Sequence, residues 1–198
     1  MPVTDDVNYP APGDCTVFIS DNGIVIMIDT GKALSYSAIK AELNKNGITH
    51  INYFILTHYH VDHHGNISNL IRDGFFNENT IAYFPANKPK DTITNWGSQA
   101  DINYMQSLFS TVRIIGASNN GISAGDITVV FFNYNWDSYR DSTNSETNDC
   151  NNYSICCYVT FGTTTILMTG DINPYVEQSL SNIGSIRQCD VLKVPHHA

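Results

Sequence analysis

The chain is poor in charge, and positive charge is its scarcest commodity. Of 198 residues only 15% are Asp, Glu, Lys or Arg, and Lys+Arg 10 stand against Asp+Glu 19, a net charge of −9. Such a balance argues against an electrostatic grip on a long nucleic-acid backbone. The lysines Lys32, Lys40, Lys45, Lys88, Lys90 and Lys193 are scattered and form no basic stripe. A compact site whose own metal ions supply positive charge is still allowed. No run approaches the ~18 consecutive apolar residues of a membrane span. Met1–Asp14 has neither a basic nor an apolar signal-peptide region, so the expected location is cytoplasmic. Cysteine is sparse, odd in number and never spaced C-x-x-C: Cys15, Cys150, Cys156, Cys157 and Cys189. That pattern does not read as a disulfide framework and suits a reducing compartment. Histidine is missing altogether between His64 and His196.

What is present is enough for a core. Hydrophobic residues make up 42% and aromatics 11%, which excludes a disordered chain, and the length fits one domain over residues 1–198. Cys15–Ser20 and Ile24–Asp29 are β-rich runs around Asp21-Asn22-Gly23, a hairpin signal. Lys32–Asn46 reads as a helix with Gly47 as its cap. Ile51–Leu56 reads as a strand buried on both faces, and Ile67–Arg72 as a short helix. Thr80–Phe84, Val112–Ile115 and Asp126–Asn133 read as strands, and Asp101–Phe109 as a helix with Tyr104 and Leu108 on one face. Tyr153–Phe161 pairs with Thr164–Met168 around Gly162, with Cys156 and Cys157 on opposite faces. A helix over Pro174–Asn182 and a strand over Val191–Val194 complete an α/β chain with two sheet regions. Asp137–Asn152 is the longest loop. The stop at Ala198, directly after a strand and a histidine pair, leads us to expect a C-terminally truncated fragment.

Four of the seven histidines fall within Thr57-His58-Tyr59-His60-Val61-Asp62-His63-His64-Gly65-Asn66. His58 and His60 follow a buried strand, where residues two apart share a face, so two imidazoles can converge on one cation. If a helix follows, Asp62 and His63 swing towards a second cation. Imidazole and carboxylate together suit Zn, Mn and Fe. Two further apolar strands end in ligand-type side chains, one in Thr169-Gly170-Asp171 and one in Pro195-His196-His197. Taken singly, each reads as well as a turn or as surface decoration. Three strand ends together point to a site, because open α/β sheets place ligands there.

On MIDTG around Asp29, THYHVDHHGN, MTGD and VPHH, the chain resembles the metallo-β-lactamase-fold hydrolases. Within them it looks most like the branch of ComEC-type competence domains and phosphorylcholine esterases. GDCTVFISDNGIVIMIDTG is similar to that branch's opening hairpin, Asn151-Asn152-Tyr153-Ser154 to its N-x-x-S segment, and VLKVPHH to its HHGS-type ending. The resemblance implies an αββα sandwich with a dinuclear site of two divalent ions, Zn first and Mn second. His58 and His60 would hold the first metal, Asp62 and His63 the second, with Asp171 bridging and His197 completing the second. Asp29 would orient the histidine loop from behind. The family's third histidine on the first metal is missing, and Asp149, Cys150, Asn151, Asn152 and Ser154 are the substitutes at hand. The departure fits the named branch and speaks against an antibiotic-hydrolysing enzyme.

The implied activity is hydrolysis of a phosphoester, a phosphodiester or a phosphocholine type. Asp62 and Asp171 would orient the attacking water, and His196 would protonate the leaving group. An acyl, thioester or lactone substrate on the same metals is the alternative, and a non-catalytic metal-binding module another. The partner expected is a small-molecule or phosphoester substrate, with nucleic acid not favoured and no membrane segment. Substrate choice is expected in loops Asn87–Gln99 and Asp137–Asn152, where Trp96, Trp136 and Tyr139 could wall a choline head.

Overall fold

The Asn-Gly turn does what its chemistry requires. In the computed structural model, which describes residues 13–86, 99–138 and 150–196, Gly23 takes φ 80°. It lies in the link between antiparallel β1 (Thr16–Ile19) and β2 (Val25–Ile28). Beyond β2 comes a 3-10 turn over Ala33–Ser35 and then helix α1 (Tyr36–Lys45). Gly47, at φ 68°, ends that helix, its N–H donating to Asn44 O while Ile48 N–H donates back to Leu43 O. Strand β3 (Tyr53–Ile55) is followed by two short helices, α2 (Val61–His64) and α3 (Ile67–Arg72). Strand β4 (Ile81–Pro85), helix α4 (Gln99–Ser107) and strand β5 (Thr111–Ile115) close this half of the chain.

The first sheet has the order β1-β2-β3-β4-β5. Strands β2, β3 and β4 run parallel, with Ile28 opposite Ile55 and Ile55 opposite Tyr83. This register sets Asp29 and Thr57, one residue past β2 and two past β3, side by side at one sheet edge. The core beside the sheet is aromatic. Phe54 stacks on Phe109 at 5.7 Å and meets Phe76 at 5.0 Å between ring centroids. Helix α4 buries Ile102 and Met105, with Phe109 completing the 102/105/109 stripe, and Tyr104 faces solvent at 58% exposure. The Tyr104–Leu108 face expected from sequence is therefore the wrong one.

The second sheet has the order β10-β9-β8-β7-β6. Strand β6 (Gly121–Ala124) was not anticipated, being short and, apart from Ile122, built of small residues. It pairs antiparallel with β7 (Ile127–Phe132) across Gly125 at φ 61°. Strands β8 (Cys156–Phe161) and β9 (Thr164–Met168) form the expected hairpin. Cys156 and Cys157 are both buried, since both faces of β8 are covered. Helix α5 (Pro174–Asn182) starts on an Asn173 cap whose side chain accepts from Tyr175 N–H. Strand β10 (Val191–Leu192) pairs parallel with β9 and is shorter than expected, with Pro195, which lacks a ladder donor, close behind it. The described residues fall into two compact units, one around each sheet.

The loop read as structureless over Asp137–Asn152 is ordered at its described ends. Trp136–Ser138 and Cys150–Tyr153 are 3-10 turns. Trp136 packs in a buried cluster with Tyr153, Cys156, Ile172, Val176 and Leu180. It is core and not part of an aromatic wall. Trp96, Tyr139 and the segment 87–98 lie outside the described residues.

Asp73, just past α3, fastens that helix to α1. Its Oδ2 accepts from Tyr36 Oη at 2.5 Å and Lys40 Nζ at 2.8 Å, and its Oδ1 from Arg72 Nε at 2.9 Å. Bonds from Lys40, Tyr36 and Arg72 hold its carboxyl well below the usual carboxylate range. A depressed folded-state pKa stabilises above the unfolded value and loses that contribution as pH falls. Asp73→Asn should lower the urea midpoint at neutral pH, with the gap from wild type closing on acidification below about pH 4.

Candidate metal centre

The histidine segment enters at the C-terminal edge of β3, where the parallel register has placed the end of β2. Asp29, wholly buried and in left-handed backbone at φ 59°, receives that segment. Its Oδ1 accepts from Thr57 N–H at 2.8 Å and its Oδ2 from Thr57 Oγ1 at 2.7 Å. The same Oδ2 meets His63 Nδ1 at 2.8 Å. Burial pushes the Asp29 carboxyl up, and the contacts from His63 and Thr57 oppose that rise.

This arrangement sets two tautomers. A carboxylate at His63 Nδ1 places the proton there and leaves Nε2 with its lone pair. Thr57 Oγ1 donates its one hydrogen bond to Asp29 Oδ2, so towards His58 Nδ1, 3.0 Å away, it acts as acceptor. His58 therefore also keeps its lone pair on Nε2, which faces His60 Nδ1 at 3.1 Å. Rings of His58 and His63 lie 4.1 Å apart between centroids. Two imidazole nitrogens 3.1 Å apart match the bite of two ligands each about 2.0–2.1 Å from one zinc ion. The donor set fits a cation of that kind. His64 differs from its neighbours: burial draws its imidazole down to about 4, keeping it neutral at ordinary pH.

The loop is also clamped through its backbone. His63 O accepts from Thr30 N–H at 2.6 Å, and Asn66, fully buried, donates from Nδ2 to Thr30 O and Lys32 O. Asp62 sits in the first turn of α2, its carbonyl accepting from Asp14 N–H at 3.2 Å. Asp14, Asp29 and His63 offer ligand-type atoms within 4.8 Å of one another. At Gly65 a Cβ would stand 2.8 Å from Ala33 N and Val61 O and 2.9 Å from Gly31 O, all backbone. Thr30, Thr57, Gly65 and Asn66 had no role in the sequence reading. The signal for them was the pairing of D-T-G with a histidine run ending in Gly-Asn.

In the second unit a parallel cluster forms where β9 and β10 end and β8 begins. Asp171 is buried, and its N–H donates to Ser154 Oγ at 3.0 Å. Asn133, at φ 63°, donates from Nδ2 to Asn152 O and Ser154 O, fixing the turn that carries Asn151 and Asn152, both buried. His196 is exposed, in left-handed backbone at φ 59°, with its N–H on Gly170 O at 3.2 Å. Lys193 Nζ lies 3.9 Å from Asp171 Oδ1, a neighbour that sequence reading missed. His197 and Asp149 lie outside the described residues.

Two substitutions test the clamp. Asp29→Ala strips a buried imidazole and a buried N–H of their acceptor and should cost roughly 1–3 kcal/mol for each stranded donor by denaturant unfolding. Gly65→Ala, forced against backbone that cannot turn aside, should cost roughly 1–3 kcal/mol by the same measurement.

Comparison with known proteins bears on the fold. The family model described as Metallo-beta-lactamase superfamily matches residues 8–78, about a third of the chain. No curated protein matches in sequence. Among solved structures, the metallo-beta-lactamase GOB-18 from Elizabethkingia meningoseptica is similar, at TM-score 0.58 and 17% identity over 92% of this chain and 70% of that one. A Cronobacter sakazakii metallo-beta-lactamase with a HARLDQ motif gives TM-score 0.57 and 14% identity, over 91% and 70%. The metallo-beta-lactamase fold protein YhfI from Bacillus subtilis gives 0.52 and 17%, over 92% and 64%, so this chain spans less than two thirds of that relative. Identities this low speak for the fold alone. No helix among the described residues is long and apolar enough to cross a membrane. The chain has the metallo-β-lactamase fold, and its residues 8–78 match the model described as Metallo-beta-lactamase superfamily.

Proposed function

We propose that this chain, acting as one domain over residues 1–198, is a metal-dependent hydrolase with a dinuclear site and a phosphoester substrate. The observation that carries the reading is the facing pair His58 Nε2 and His60 Nδ1 at 3.1 Å, with His58 and His63 both turned by Asp29. In this proposal His58 and His60 would hold the first cation and Asp62 and His63 the second, with Asp171 serving both and His197 completing the second. With the third histidine absent, the first cation would be left under-liganded and weakly held, or completed by water or by a substitute among Asp149, Cys150, Asn151, Asn152 and Ser154. Of these, Asn151, Asn152 and Ser154 otherwise support the site from behind the ligands. Zinc is the preferred ion and manganese the next.

Bound divalent ions supply a water acidified towards neutrality and a sink for charge on a phosphoryl oxygen. The chain's own groups do the rest. Asp62 and Asp171 would orient the water by accepting hydrogen bonds from its O–H groups, and His196 would protonate the departing oxygen. Asp29 holds His63 and, through Thr57, His58 in the tautomers that ligation needs. The preference for a phosphoester rests on the match of a dication pair to a phosphate anion and on the likeness to the ComEC and phosphorylcholine esterase branch. Thioesters or lactones are the competing substrates.

Protein stripped of metal and reloaded with Zn or Mn should bind two ions and cleave bis(p-nitrophenyl) phosphate or a phosphocholine ester in preference to acyl esters. His60→Ala should abolish that turnover. Equal rates in the variant would end the mechanism, and none or one bound ion in the wild type would make the chain a metal-binding module.

A further inference from the structure

Lys193 directly follows β10, and its side chain folds back over the end of β9. Backbone contacts hold it there: its N–H donates to Leu167 O at 2.9 Å and its carbonyl accepts from Thr169 Oγ1 at 2.8 Å. The ammonium then sits among oxygens, 3.1 Å from Gly170 O, 3.3 Å from Val194 O and 3.5 Å from His196 O. Asp171 Oδ1 is the fourth, at 3.9 Å. Gly170 O is shared with the His196 N–H. Three protons on Nζ face three carbonyls, which occupies the donors that would otherwise grip a substrate. The Lys193 side chain is 21% exposed and that of Asp171 1%, so the charge is only partly screened by water.

What remains for such a group is its field. We propose that Lys193 is a built-in countercharge to Asp171, a positioning residue that weakens the hold of the protein on the divalent cation beside that carboxylate. The proposal rests on the dinuclear reading, in which Asp171 is a ligand. A fixed positive charge a few ångström from a carboxylate offsets part of the attraction that carboxylate exerts on any other cation. The same ammonium ties the Asp171 turn to the His196 turn, so a purely mechanical role makes the opposite forecast. Loss of the tie alone would loosen the ligands and weaken cation binding.

Zinc affinity of the full chain, measured by competition with a chromogenic chelator at low ionic strength, separates the two. Lys193→Met should bind zinc more tightly than wild type by roughly tenfold or more, the scale of two like charges near a protein surface. Lys193→Gln, which keeps donors for the carbonyls without the charge, should shift the same way and serves if the Met variant fails to fold by circular dichroism. Lys193→Arg should stay near wild type. Unchanged or weaker zinc binding in the neutral variants, with wild type binding normally, would overturn the countercharge. Failure of the wild type itself to bind zinc would remove the metal reading and this proposal together.

Discussion

One buried carboxylate governs the histidine cluster. Asp29 is enclosed by protein, and a charge in that position is tolerated only because every lone pair facing the site has a donor: Thr57 N–H, Thr57 Oγ1 and His63 Nδ1. Satisfying the carboxylate and orienting the imidazoles are the same act. The O–H that Thr57 donates to Asp29 cannot also be donated to His58, so control of one ring reaches the next through a single hydroxyl. Thr30 and Asn66 then pin the backbone of the loop from the other side.

Strand register makes this possible. Ile28 opposite Ile55 leaves the residues past both strands at a common edge, and nothing in the loops themselves has to search for that placement. The second sheet repeats the device with different strands. Leu167 lies opposite Leu192, and Cys157 opposite Met168. Ser154, Asp171 and Lys193 therefore arrive at one edge from three strands.

Much of this was legible in the sequence, for identifiable reasons. The β1–β2 hairpin, α3 and α5 were written in local chemistry: Asn-Gly, Asp-Gly, and an Asn-Pro helix start. The ligand-type residues were legible because histidines and aspartates stood directly behind apolar strands. The buried face of α4 was not, because Tyr104 and Leu108 are as apolar as Ile102 and Met105, and only tertiary packing chooses between two stripes on one helix. Strand β6 escaped because Gly-Ile-Ser-Ala has weak β propensity and depends on β7 for its existence. Trp136 read as a loop aromatic, and its place in the core is set by Ile172, Val176 and Leu180, well over thirty residues away. The partnership of Lys193 with Asp171 depends on a side chain folding back across two strands, which no spacing rule encodes.

The backbone handedness at Asp29 has a consequence for how such a sequence can drift. A left-handed conformation at φ 59° is comfortable for glycine and tolerable for asparagine or aspartate. Glycine there would relax the chain yet silence the hub, glutamate would keep the charge yet fight the backbone, and asparagine would suit the backbone yet present a donor where an acceptor is required. Every single-step exit from this position loses either shape or chemistry, which makes it a narrow neck in the paths open to the protein.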